Sequence, residues 1–193
     1  MSAAPVHVHT GVHTMQDRLN LIAKQVDKSL KQPQRTRDGR TFMVRDLALE
    51  IVRGLPEHGQ EAENAQLAAL FRWVANNVEY RQDPHDYDQY QTAGATLRGG
   101  GSDCDDHTIL MASLATSLGF PVGAKVTGGN GGFHIYAVAG VNPFYAPTQY
   151  LALDTSMVGV GSYPGWEPPM SERQQEYIVT FDQGRAANLR RIR

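Results

Sequence analysis

The chain has 193 residues, 41% of them hydrophobic and 20% charged, with a formal net charge of −2. That balance gives no basis for a nucleic-acid partner or an anionic membrane surface. No apolar run reaches 18 residues, so no transmembrane helix is expected, and the length suits one domain that buries roughly 70% of its extended surface.

The first stretch, "MSAAPVHVHTGVHT", lacks the basic start and apolar core of a secretory signal. It carries His7, His9 and His13 among small and polar neighbours and reads as a flexible arm over residues 1–14. From Met15 to Lys31, Leu19, Ile22, Val26 and Leu30 recur at helical spacing, and Pro33 closes that helix. "QPQRTRDGR" reads as a polar loop, and "FMVRDLALEIVRGLP" as a short helix ended by Gly54 and Pro56. In "EAENAQLAALFRWVANNVEY" the stripe Leu67, Leu70, Trp73 and Val74 predicts a longer helix, with glutamates at its N-terminal end.

"RQDPHDYDQYQTAGATLRGGGSD" is expected to be a long polar connection, of the kind that often carries function. "DDHTILMASLATSLG" then predicts a buried helix starting at or beside Cys104, with Gly119 just past its C-terminus. Strands follow in "PVGAKVT", "FHIYAVAG" and "YLALDTS", the first two joined by the glycine-rich "GGNGG". Residues 157–170 read as a loop anchored by Tyr163 and Trp166, "EYIVTF" as a last strand, and residues 183–193 as a basic tail. Helices first and strands afterwards argue an α+β class, with one domain over residues 15–182.

Cys104 is the only cysteine, so no internal disulfide forms within the chain. A reducing compartment is expected: the cytoplasm, or a virus particle assembled in a host's cytoplasm. A thiol at a helix start sits in the positive end of the dipole, and upstream glycines let a substrate approach. Acyl transfer also needs a base for the proton and a group to orient that base. His134, on a strand after the glycine-rich turn, is the preferred base. His107, three residues along the same helix as Cys104, is poorly placed to serve a substrate between them. Asp154, at the end of "YLALD", reaches the far ring nitrogen of His134 if the two strands are neighbours. Asn142 and Asp182 are the weaker rivals for that role.

The blocks "GGGSDCDDHTILMASLATSLGFPV", "FHIYAVA" and "YLALDTS" resemble the three blocks of the transglutaminase-like superfamily. The approach "FRWVANNVEYRQDP" and "YQTAGATLRGG" is also similar, so the resemblance runs from about Glu61 to Ser156. It implies a papain-like core, with N-terminal helices packed on a small antiparallel sheet and the nucleophile opening a buried helix. It also implies Cys104 as nucleophile, His134 as base and Asp154 as orienting carboxylate. A further similarity is to transglutaminase-like proteins of tailed bacteriophages.

Three aspartates crowd this thiol, and negative charge beside a thiolate disfavours it. Either the carboxylates cap the first helical turn, or they hold a cation. Asp106 is the expected cap, because the family pattern keeps an acid two residues after the cysteine. Asp103 and Asp105 are the candidate Ca²⁺ ligands, as in similar bacterial cysteine proteinases with acids flanking the cysteine. Such a site would need help from the run Asp83–Asp88. No cofactor is required by the chemistry itself. The backbone N–H of Cys104 is the expected oxyanion donor, with the side chain of Gln91 as a second.

The function expected is a cysteine peptidase or amidase working through a thioester, with a protein or peptide substrate. The rival is a non-catalytic structural or binding component, for example of a phage particle, that retains the fold. The oligomeric state is left open.

Overall fold

A computed structural model describes residues 6–9, 14–83, 87–99, 101–129, 132–169 and 173–192. In chain order the elements begin with β1 (Val6–His9), α1 (Met15–Lys31), β2 (Gln34–Arg35), β3 (Thr41–Phe42), α2 (Val44–Ile51) and α3 (Gln60–Asn77). The middle of the chain holds β4 (Glu79–Tyr80), β5 (Tyr87–Tyr90), α4 (Ala93–Gly99), β6 (Gly101–Ser102) and α5 (Cys104–Ser117). The last part supplies β7 (Val122–Gly129), β8 (Gly132–Val141), β9 (Gln149–Leu153), β10 (Gln175–Asp182) and β11 (Arg185–Arg191). None of the described helices is long and apolar enough to cross a membrane.

Five strands form one antiparallel sheet in the order β11-β10-β7-β8-β9. α5 lies on one face of that sheet, against β8, and α1, α2 and α3 surround its other sides. A helix enclosed this way must be apolar all round rather than along one stripe. Accordingly Ile109, Leu110, Met111, Ala112, Leu114 and Ala115 are all buried. Each large side chain among them contributes roughly 1.5–3 kcal/mol by leaving water. The helix ends as its glycine predicts: Gly119 has φ of 97°, and the N–H of Phe120 returns to the carbonyl of Ala115 at 3.2 Å.

Period-two alternation divides β8 between two faces. Ile135, Ala137, Ala139 and Val141 join the main core, while Tyr136 and Val138 join Ala152 in a second cluster on the far side. A segment before β10 folds over that far side. It is held there by Gly165 N–H to the carbonyl of Ala152 (2.8 Å) and by Lys125 Nζ to Glu167 (2.6 Å). Tyr163, expected as an anchor of this segment, is exposed instead.

The long connection after α3 is more ordered than its polarity suggests. It contains β4, β5, α4 and β6. α4 escapes a periodicity search because its buried face is made of Ala93, Gly94, Ala95 and Thr96. Small residues are what fit there: a Cβ on Gly94 would stand 2.7 Å from Gln34 Oε1, which accepts the Gly94 N–H at 3.0 Å. The arm expected at residues 1–14 supplies β1, which pairs antiparallel with β5; His13 lies outside the described residues. The tail expected from residue 183 supplies the edge strand β11, paired with β10 and packed against α1.

Candidate active site

α5 begins at Cys104 itself, with Asp103 as its N-cap in extended conformation. Cys104 is half-buried, and its sulfur takes a hydrogen bond from the backbone N–H of Ile135, the residue after His134. The second turn of α5 is tied to the same strand, because Thr108 Oγ1 donates to the carbonyls of Cys104 (2.7 Å) and Ile135 (3.3 Å). The start of the helix and the start of β8 therefore meet at one corner of the sheet.

At that corner His134 Nε2 lies 2.7 Å from Asp154 Oδ2. The strand pairing produces this contact: Ala137 sits opposite Leu153, so Asp154 leaves β9 beside the first residues of β8. The bond occupies Nε2 and leaves Nδ1 as the other ring nitrogen. Asp154 is 1% exposed, and its other oxygen accepts Ser156 Oγ at 2.7 Å, while Ser162 Oγ donates to its backbone carbonyl at 2.7 Å. Sequence reasoning missed Ser156. The signal was present, since a serine two residues after an aspartate is a frequent local hydrogen-bonding partner.

Ser156 is buried, and its donor goes to a charged acceptor. A Ser156→Ala variant is expected to lose about 1.5–3 kcal/mol of folding stability, read from urea unfolding curves. A loss below about 0.5 kcal/mol would mean that the Asp154 carboxylate finds another donor.

The rivals of His134 and Asp154 are placed elsewhere. His107 is buried, with Nδ1 3.0 Å from Thr155 Oγ1, and burial lowers its pKa to about 4. It is a neutral packing histidine. Asn142 follows the far end of β8, and its side chain reaches Gln149. Asp182 ends β10 opposite Arg185, beyond the pairing of Thr180 with Gly123 at the same remote end of the sheet.

The aspartates are arranged differently from the expectation. The cap of α5 is Asp103, whose carboxylate accepts the N–H of Asp106, rather than Asp106 itself. Asp106 instead accepts two bonds from Gln91, from the backbone N–H at 2.7 Å and from Nε2 at 2.6 Å. Sequence position alone could not separate two acids three residues apart at a helix start. The same two bonds commit the side chain of Gln91 to Asp106, away from an oxyanion-hole role.

Asp105 is 6% exposed, and its Oδ1 has no hydrogen-bond partner among the described residues. Carboxylate oxygens of Asp103, Asp105 and Asp106 all lie within 4.8 Å of one another. Burial, then the neighbouring carboxylates, push Asp105 well above the usual carboxylate range. Burial pushes Asp106 up to about 8, against the two bonds from Gln91. Cys104 is pushed up as well, first by burial and then by Asp103, Asp105 and Asp154, with only the Ile135 N–H opposing. Burial and the acids together therefore outweigh the Ile135 N–H bond at this thiol. Of the run Asp83–Asp88, Asp83 adds its charge to Asp105 and Asp106, Asp88 pairs with Arg18 at 2.6 Å, and residues 84–86 lie outside the described residues.

Comparison with known proteins bears on this corner. Residues 46–153 match the family model of the transglutaminase-like superfamily, a span that includes Cys104 and His134 and ends one residue before Asp154. No curated protein matches the chain. Among solved structures, a candidate cysteine protease from Cytophaga hutchinsonii is 14% identical at a TM-score of 0.49, covering 97% of this chain and 60% of that one. A candidate protease from Parabacteroides distasonis is 13% identical at a TM-score of 0.48, covering 86% of this chain and 30% of that one. A structure described as a TGase is 13% identical at a TM-score of 0.41, covering 83% and 37%. The chain thus spans less than two thirds of the length of each.

Proposed function

The chain belongs to the transglutaminase-like superfamily, and on that premise we propose that it is a cysteine hydrolase of peptide or isopeptide-like amides. The observation that carries this reading is the 2.7 Å bond between His134 and the buried Asp154, at the corner where α5 presents Cys104. In the proposed reaction, Nδ1 of His134 takes the thiol proton and the sulfur of Cys104 attacks the amide carbonyl. Collapse gives a thioester, and the leaving amine receives the proton back from His134. In this reading water then resolves the thioester, releasing the acid and regenerating the thiol. Asp154 holds the ring orientation and stabilises the imidazolium between these steps.

The acid trio fits a hard cation such as Ca²⁺: its oxygens converge, and Asp105 Oδ1 is buried without a partner among the described residues. Asp103 and Asp105 would hold such an ion, and its charge would offset the carboxylates that push Cys104 up. A second reading, a binding or structural module that keeps the fold, draws on that same upward push on the thiol.

The rate of iodoacetamide alkylation at Cys104, followed against pH, separates the two. A hydrolase labels at pH 6 at least about 10-fold faster than a free thiol, and His134→Ala removes that advantage. Acceleration by added Ca²⁺ would assign the aspartates to the cation. An ordinary thiol profile, unchanged by the substitution with or without Ca²⁺, would establish the structural reading.

A further inference from the structure

The pairing of β9 with β8 stops one residue short of Asp154. β9 is an edge strand of the five-stranded sheet, and Asp154 has left strand geometry, with φ of −84° and ψ of 84°. Its backbone is held from outside the sheet instead. Ser162 Oγ donates to the Asp154 carbonyl at 2.7 Å, and the Gly165 N–H donates to the carbonyl of Ala152 at 2.8 Å. Both donors belong to residues 155–167, the segment that crosses the far face of the sheet. The aim of Asp154 therefore depends on where that segment is fastened.

The fastening lies two strands away, on β7. Lys125 Nζ meets Glu167 at 2.6 Å and Glu176 of β10 at 3.3 Å. Arg173 joins both carboxylates, with Glu176 Oε1 at 3.0 Å, so two cations and two carboxylates alternate around one ring. Lys125 and Glu176 are buried. A buried ion pair adds little net stability over well-packed apolar side chains. It does hold one arrangement, because any other leaves a charge unpaired out of water. Between this ring of charges and the His134–Asp154 pair stands Tyr136. It lies opposite Lys125 on β8 and is 1% exposed, and its ring centroid is 5.7 Å from that of His134 with planes tilted by 34°.

We propose that Lys125 is a positioning residue for Asp154, acting through residues 155–167. This rests on the reading of Cys104, His134 and Asp154 as the reacting groups. The pair Lys125–Glu167 draws the segment across β8 to β7. The segment in turn holds the carbonyls of Ala152 and Asp154 and covers Tyr136, which packs on the His134 ring. Released from Lys125, the segment shifts, and Asp154 Oδ2 departs from its 2.7 Å contact with His134 Nε2. The charge of Asp154 survives that change. What is lost is the direction of the bond, on which the orientation of the base depends.

Acylation by p-nitrophenyl acetate reads the rate, and a proton spectrum reads the bond. The ester acylates the sulfur of Cys104: the S–C bond forms, the ester C–O bond breaks and p-nitrophenolate leaves. Glu167→Gln and Lys125→Met are each expected to slow acylation about 10- to 100-fold at saturating ester, the scale of a catalytic group misplaced by about 1 Å. The double variant should stay within about twofold of the slower single one, because both cut the same link. The far-downfield proton resonance of the His134–Asp154 bond, assigned by its loss in His134→Ala, should shift or broaden in both variants. Circular dichroism confirms that each is folded. Glu167→Gln, at the more exposed end of the pair, decides the matter if Lys125→Met does not fold. Acylation within about twofold of wild type, an unchanged resonance, or losses that multiply in the double variant would each overturn the proposal. Failure of the parent reading looks different. There the wild-type Cys104 is acylated no faster than free cysteine, and the positioning role falls with it.

Discussion

Asp154→Asn is expected to slow acylation of Cys104 roughly 10²- to 10⁴-fold while leaving the protein folded. The carboxylate is 1% exposed and fully used, with one oxygen 2.7 Å from His134 Nε2 and the other 2.7 Å from Ser156 Oγ. Asparagine fills the same volume, so Ser156 keeps a partner and the cavity term for a smaller side chain does not arise. What disappears is the negative charge that stabilises an imidazolium, together with a guaranteed acceptor for the ring N–H. The measurement is the pre-steady-state release of p-nitrophenolate, with circular dichroism as the check on folding. A loss smaller than about tenfold would show that His134 needs no carboxylate, which is incompatible with the proposed triad.

Stability should fall between pH 7 and pH 9 in the presence of EDTA, by about 1–4 kcal/mol. Asp106 is held at about 8, and Asp105 is pushed well above the carboxylate range, whereas both titrate near 4 once unfolded. The folded protein therefore binds more protons than the unfolded chain. The contribution is fully present below about pH 4 and is lost as pH rises through the folded values. Cys104, also pushed up, acts in the same direction near the top of this window. His107 acts in the opposite direction, because its pKa is lowered to about 4, but its effect is complete below the ordinary histidine value near 6.5. Glu176, held below its usual range by Lys125 and Arg173, likewise acts only in acid. Urea unfolding at pH 7 and pH 9 measures the difference, and Asp105→Asn should flatten it. Stability that rises with pH across this window would mean that the trio is ionised in the folded state. Added Ca²⁺ at 100 times its dissociation constant should restore about 3 kcal/mol at pH 9 if the trio holds it.

What could be read beforehand followed from local rules. α1 spans the residues that its apolar spacing marks, Met15–Lys31, and α5 opens at Cys104 and closes at Gly119. The alternating apolar runs became β7, β8, β9 and β10. The order Cys104, His134, Asp154 on a helix start and two strands pointed to one corner, and the neighbouring pair of strands brought His134 to Asp154. Other features depend on partners remote in sequence. α4 is helical because Gln34 and Ser29, some 60 residues away, accept the N–H groups of Gly94 and Ala93. β11 is a strand because β10 pairs with it and α1 covers it, although its composition is that of a solvated basic tail.

The sequence by itself determined the elements with strong periodicity, the α+β class, and the placing of one thiol at a helix start. Those depend on interactions spanning a few residues: apolar spacing, glycine at positive φ, and an acid at an N-cap. Only the tertiary structure decided which acid does what. Asp103 caps, Asp106 binds Gln91, Asp105 keeps a buried oxygen without a partner among the described residues, Ser156 supports Asp154, and Tyr80 pairs with Ser102. A hydrogen bond selects among chemically equal side chains by a few tenths of an ångström, and that distance exists only after the chain has packed.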